Sequence, residues 1–163
     1  MALLSDVLTQ ELLAGRYVAS LATTSEDGSI HMVAVWYWFD GSYVYIATSS
    51  KSRKLRNLLS NPNASLMIDS RDPAASRGIT IIGTGEVLTG AASQRCNATI
   101  HQRYLSDAAL RDPRVGPVFG AWDDVTIQIK PKSVVAWDMR ELDRQALGGA
   151  FREHPDYLLP LQR

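Results

Sequence analysis

Apolar residues first recur at helical spacing: Leu8, Leu12 and Leu13 form one stripe, with Ser5 placed to cap the helix and Gly15 to end it. Beyond it the period changes. Tyr17 to Thr24, Ile30 to Phe39 and Tyr43 to Thr48 are rich in Val, Ile, Thr and aromatic residues, and Glu26-Asp27-Gly28-Ser29 and Asp40-Gly41-Ser42 separate them. Two hairpins follow from that punctuation. In the second run Met32, Ala34, Trp36 and Trp38 alternate with Val33, Val35, Tyr37 and Phe39, so both faces are apolar. Such a strand is central or lies at an interface.

The spacing predicts a helix over Ser52 to Ser60, with Leu55, Leu58 and Leu59 inward and Asn61-Pro62 ending it. Strand character resumes from Ala64 to Asp69. Residues 70–77 read as a loop containing Pro73, and Ile79 to Leu88 as a strand with Gly83 and Gly85 as bulge or bend points. Ala92, Cys96, Ile100 and Tyr104 recur at helical spacing. Leu105 to Asp124, with Pro113 and Pro117, reads mostly as loop, and Val125 to Ile129 with Val134 to Trp137 supply the last strand or strands. The order is α+β rather than alternating βαβ: about six antiparallel strands with three flanking helices, which a barrel closes without exposed edges. One domain spans residues 1–140, and residues 141–163 form a tail whose Phe151, Tyr157, Leu158 and Leu159 pack on the barrel or on a partner.

A 163-residue chain buries its core as one domain. Lys plus Arg balance Asp plus Glu at 17 each, so no global field attracts nucleic acid or an anionic membrane, and anion recognition must be local. The lone cysteine, Cys96, has no disulfide partner and no zinc-finger spacing; it shares a helical stripe and reads as packing. The N-terminal stretch carries Asp6 and Glu11 and no long apolar run, so a cytoplasmic protein without a membrane span is expected. His101 and His154 lack a second ligand at metal spacing, and no Ser-His-Asp or paired-carboxylate arrangement emerges.

One segment breaks a local rule. Thr48-Ser49-Ser50-Lys51-Ser52-Arg53-Lys54 crowds hydroxyls and three cations onto a helix start, where each cation is disfavoured by about 0.3–1 kcal/mol without a compensating anion. Free N–H groups, Ser hydroxyls, a flexible Lys and a forked Arg together make a phosphate cradle. The alternative is a solvated basic helix end.

With Leu21-Ala22-Thr23 before the Asp27-Gly28 turn, the His31 to Trp36 strand, Thr48 followed by Ser52-Arg53-Lys54, Asn57-Leu58 with Asn61-Pro62, and Pro131 to Trp137, the chain resembles the flavin-binding split barrels related to pyridoxamine 5'-phosphate oxidase. The resemblance implies a six-stranded antiparallel split barrel and a homodimer with two FMN sites at its interface. On it, Ser52, Arg53 and Lys54 match the segment that holds the FMN phosphate, and Ala47 and Thr48 the strand end touching the phosphoribityl chain. His31, Met32, Val33, Ala34, Val35 and Trp36 match the strand along the isoalloxazine. Thr80 falls where the oxidase has an amide, and Trp137 resembles a tryptophan reaching the flavin from the partner subunit. Trp36, Trp38 and Trp137 are read either as flavin-stacking or as core and interface residues, and His31 either as a donor to a flavin oxygen or as a satisfied strand residue.

The departures exclude the oxidase's own substrate from the expectation. His31 replaces an arginine, Trp36 replaces a lysine, and the basic C-terminal motif has no counterpart in residues 138–163. The resemblance then implies an FMN-dependent oxidoreductase acting on an unidentified small molecule. The strand ending in Trp36 and the Arg56-Asn57-Leu58 segment also resemble the branch that uses the deazaflavin F420, whose longer tail would engage Lys51 and Arg56. A non-catalytic flavin or haem carrier on the same barrel is the third reading.

Overall fold

In the computed structural model, which describes residues 4–72, 75–121 and 125–160, the carboxylate of Asp6 rather than the hydroxyl of Ser5 caps α1 (Val7–Ala14). Parts of the expected loops and of the tail, residues 73–74, 122–124 and 161–163, lie outside the described residues. The chain continues through β1 (Ala19–Thr24), β2 (Ile30–Val35), β3 (Trp38–Phe39), β4 (Val44–Thr48), α2 (Arg53–Ser60), β5 (Asn63–Ser70) and β6 (Arg77–Thr89). Then come α3 (Gly90–Tyr104), α4 (Asp107–Arg111), α5 (Gly116–Gly120), β7 (Val125–Asp138), α6 (Met139–Ala146) and α7 (Ala150–Glu153). No described helix is long and apolar enough to cross a membrane.

The strands form one antiparallel sheet in the order β2-β1-β5-β6-β7-β4-β3. There are seven strands, not six, because the run from Ile30 to Phe39 breaks at Trp36-Tyr37. Tyr37 causes the break: its ring is fully buried, and its hydroxyl donates to the carbonyls of Leu12 at 2.6 Å and Gly15 at 2.9 Å. Its backbone N–H meanwhile turns to the Tyr104 hydroxyl, at 3.5 Å, instead of to a neighbouring strand. The two ends of the sheet, β2 and β3, are therefore consecutive pieces of one chain, joined by two residues. Such a sheet has to curl until its edges meet, and the barrel is closed there by the chain rather than by hydrogen bonds. Trp36 and Tyr37 form its seam.

The inner face reads row by row. Leu21, Leu66, Ile81 and Val134 face one another across β1, β5, β6 and β7, none more than 2% exposed. Each contributes about 1.5–3 kcal/mol through burial. On the opposite face Ala34, Ser20, Met67, Thr80 and Val135 share one row and Met32, Ala22, Ser65 and Ile82 the next. That face leaves Ile30, Met32, Ile82, Val135 and Trp137 between 39% and 72% exposed. β6 and β7 run together for most of their length, with a register shift at Ile82/Gly83 where Gly83 meets Pro131, the site expected to bulge.

Three local expectations change. Leu59 points outward on α2 and is 69% exposed; Leu55, Asn57 and Leu58 face inward. The stretch expected as loop from Leu105 carries α4, capped by Ser106, and α5, started by Pro117. On α3 the inward face is Ser93, Asn97, Ile100 and His101 rather than the stripe through Ala92 and Cys96. Ser93 and Asn97 are tolerated there because they are satisfied: the Ser93 and Thr126 hydroxyls are 2.8 Å apart, and Thr126 donates to Asn97 Oδ1 at 2.7 Å.

A second joint ties α3 to α1. Arg103 Nη2 donates to the carbonyls of Leu13 at 3.1 Å, Ala14 at 2.8 Å and Gly15, which lie at the end of α1 beyond the reach of its own N–H groups. Its guanidinium also lies 5.4 Å from the Tyr37 ring. Arg103→Met keeps the stem and removes these charge-assisted bonds, and is expected to cost about 2 kcal/mol, lowering the melting temperature by roughly 4–8 °C. Thermal unfolding followed by circular dichroism checks this, and an unchanged midpoint would reduce the clamp to a surface contact. Within the tail the buried Asp143 carboxylate accepts from the N–H groups of Phe151 at 3.0 Å and Arg152 at 3.3 Å, and just before it Arg140 reaches Glu11 at 3.4 Å.

Candidate functional site

The helix start works as expected up to a point. Ser52 caps α2 by accepting from Leu55 N at 3.4 Å, and its hydroxyl lies 2.8 Å from that of Thr48 at the end of β4. These two hydroxyls are committed to holding the helix against the strand. Asn57 sets the helix phase, its buried amide donating to Thr23 Oγ1 at 3.0 Å and Ser25 Oγ at 3.2 Å on and just after β1.

Adjacent residues on a helix point about 100° apart, so Arg53 and Lys54 diverge. Lys54 enters a cavity of about 320 Å³ at the barrel seam, lined also by Val18, Ala34, Val35, Trp36, Ala47, His101 and Phe119. Arg53 enters a separate groove of about 350 Å³ with Ser25, Glu26, Asp27, Arg56 and Asn57. There its guanidinium donates to Ser25 Oγ at 3.0 Å and Ser29 Oγ at 3.4 Å.

The two environments differ electrostatically. In the seam cavity no carboxylate is among the described lining residues, and burial pushes the half-buried Lys54 ammonium below its ordinary pKa. In the groove the two arginines are offset by Glu26 and Asp27, whose carboxyl is held low first by the hydrogen bond from the Ser29 hydroxyl. An anion therefore gains most at Lys54.

Trp36 is stacked on Tyr104 at 5.0 Å, with ring planes 1° apart, and on Phe119 at 6.0 Å, so these rings form one aromatic wall. Tyr104 is fixed by donating to the Tyr17 carbonyl at 2.7 Å. His101 meets Phe119 edge-on at 4.9 Å.

Of the residues expected at the site, the seam brings together Ala34, Val35, Trp36, Ala47 and Lys54, with Thr48 and Ser52 just behind. His31, Met32 and Val33 lie nearer the β1–β2 turn and do not line the cavity; Val33 packs against the core. Thr80 and Trp137 stand on β6 and β7 and are not among the residues that line the cavity, although β7 pairs with β4, which carries Ala47. Both occupy the outer apolar face, and the Trp137 ring lies across Gly78, where an added Cβ would come within 2.7 Å of it. Trp38 stacks on Tyr45 at 5.0 Å in a different cavity, beside Arg95 and Cys96. Sequence reasoning missed His101, Phe119 and Val18 as seam residues. The polar spacing of Ser93, Asn97 and His101, one helical turn apart, was the available signal for the first.

An antiparallel barrel with its seam beside a cationic helix start and an apolar cavity defines a split-barrel protein. Residues 8–138 match the family model of pyridoxamine 5'-phosphate oxidase, and the chain belongs to that family. No curated protein is significantly similar to it. Among solved structures it resembles the conserved hypothetical protein Rv2991 from Mycobacterium tuberculosis, with TM-score 0.70, 24% identity, and coverage of 99% of this chain and 92% of that one. It also resembles an F420 reductase (TM-score 0.60, 22% identity, 77% and 94% covered). A third is HutZ, the haem storage protein from Vibrio cholerae (TM-score 0.60, 16% identity, 77% and 89% covered). At these identities the structural likenesses establish the fold.

Proposed function

We propose that the chain is a flavin-dependent oxidoreductase that binds FMN at the barrel seam and works as a homodimer. The observation that carries this reading is the seam cavity itself: aromatic and aliphatic walls, one partly desolvated ammonium at Lys54, and no opposing carboxylate among the described lining residues. Such a donor set fits a flat apolar ring with a phosphate, and the volume falls at the small end of ligand sites. The bound flavin would supply hydride transfer to or from a small molecule. The chain's own part is binding and exclusion: Lys54 and the start of α2 take the phosphate, and the Trp36–Tyr104–Phe119 wall keeps water out.

The dimer reading rests on the outer face of the sheet. Ile30, Met32, Ile82, Val135 and Trp137 together are more apolar surface than monomers usually leave in water. A second copy covering them would bring Thr80 and Trp137 of the partner subunit toward the seam. F420 is the second reading, favoured by the Arg53 and Arg56 groove next to Lys54, into which a longer anionic tail would extend; the F420 reductase among similar structures agrees with it.

Titrating the purified protein with FMN, F420 and haem, followed by visible absorbance, separates the readings. FMN saturating at one per chain, with sedimentation reporting two chains, is the expected result. A haem spectrum with no flavin uptake would assign a carrier instead, and a flavin-loaded monomer would remove the interface.

A further inference from the structure

A second cavity, of about 370 Å³, lies between the β3–β4 hairpin, which supplies Trp38 and Tyr45, and the first part of α3, which supplies Arg95, Cys96 and Thr99. It shares no lining residue with the seam. Strand register sets Trp38, Tyr45 and Gln128 side by side across β3, β4 and β7, and the Trp38 ring stacks on that of Tyr45 at 5.0 Å. Polar bonds hold this shelf still. The Tyr45 hydroxyl donates to Asp40 Oδ2 at 2.7 Å and accepts from Gln128 Nε2 at 3.0 Å. The other oxygen of Asp40 accepts from the N–H groups of Ser42 and Tyr43, each at 2.8 Å. Tyr45 is buried by this arrangement, whereas Trp38 keeps part of its ring open to the cavity.

The wall facing the shelf carries a cation. Arg95 forms no ion pair among the described residues, and no carboxylate is among the described residues that line the cavity. The nearby negative charge is already engaged. Asp40 spends both oxygens on the hairpin, and Glu86, in the same sheet row as Gln128, does not line the cavity. Burial holds the Cys96 thiol above its ordinary pKa, so it stays protonated near neutral pH and adds no charge of its own.

We propose that this cavity is a second small-molecule site, for a planar aromatic acid whose ring lies against Trp38 and whose carboxylate pairs with Arg95. A ring without the acid would leave the guanidinium without its counter-ion, and an acid without the ring would leave the shelf in water. Both features are met by one ligand. The volume is at the small end of ligand sites and suits one or two fused rings. Because the two cavities share no lining residue, the proposal holds whatever the seam binds.

Naphthoate is the probe, and the uncharged naphthamide is its control. Calorimetry should show naphthoate binding about tenfold more tightly than naphthamide, a comparison that needs no variant. Arg95→Met should remove that preference by weakening naphthoate alone, and Trp38→Leu should weaken both by about fivefold. Melting curves check that both variants fold. The chain's one cysteine locates the ligand, since Cys96 lines this cavity and is partly exposed. Naphthoate should slow its reaction with a neutral pyridyl disulfide several-fold, in wild type and in Lys54→Met alike. Equal affinity for acid and amide, an undiminished preference in Arg95→Met, or an unprotected Cys96 would each overturn the proposal. Loss of naphthoate binding in Lys54→Met would do so as well, by moving the acid to the seam. None of these outcomes bears on whether the seam takes a flavin.

Discussion

Replacing Lys54 with methionine is expected to weaken FMN binding by roughly 10- to 150-fold, the loss of one charge-assisted contact of about 1.5–3 kcal/mol, while riboflavin binding barely changes. Arg53→Met should cost FMN affinity less, about tenfold or under, because Arg53 shares its groove with Glu26 and Asp27 and spends donors on Ser25 and Ser29. Without ligand, Lys54→Met should leave stability unchanged or slightly raised, since burial already penalises the ammonium and it stands at a positive helix end. Fluorescence titrations of both flavins against both variants, with melting curves of the apo forms, make the comparison. Equal losses of FMN and riboflavin, or a larger effect at Arg53 than at Lys54, would move the phosphate away from the seam cavity.

Gly83→Ala is expected to be among the most damaging single methyl additions in the barrel. A Cβ there would lie 2.3 Å from the Lys130 carbonyl oxygen on β7, and a backbone atom in a paired strand cannot turn aside. The bulge would have to open, at about 3 kcal/mol and roughly 6–12 °C in melting temperature. Gly85→Ala is the matched control: its nearest neighbours are the two terminal methyls of Leu58 at 3.1 Å, which a rotamer adjustment can move. It should cost less than half as much. If the two substitutions melt alike, the bulge is softer than its geometry indicates.

How much of this was legible in the sequence depended on what each residue contacts. The helix start at Ser52 and the bulge at Gly83 are local matters of cap and glycine chemistry, and both were readable. The break at Trp36-Tyr37 was not, because its cause is a hydroxyl bonded to carbonyls more than twenty residues earlier in the chain. Alternation continues through those two residues without a flaw. The divergence of Arg53 from Lys54 follows from helix geometry alone and was available, but a motif read as a unit conceals it. The inward polar face of α3 was hidden for a different reason. Burial of Ser93 and Asn97 is sensible only once Thr126, a strand residue about thirty positions later, is known to stand opposite.

The seam bears on how such a chain diversifies. The cavity's walls come from the ends of strands and from α2, α3 and α5, whereas the row of Leu21, Leu66, Ile81 and Val134 that sustains the barrel lies elsewhere. Val18 and Ala34 are exposed and Phe119 sits on a five-residue helix, so exchanging them reshapes the cavity without opening a void in the core. Most substitutions that would change the ligand are thereby decoupled from those that would unfold the protein. A scaffold partitioned in this way can change what its seam accommodates through viable intermediates, each as well folded as the last.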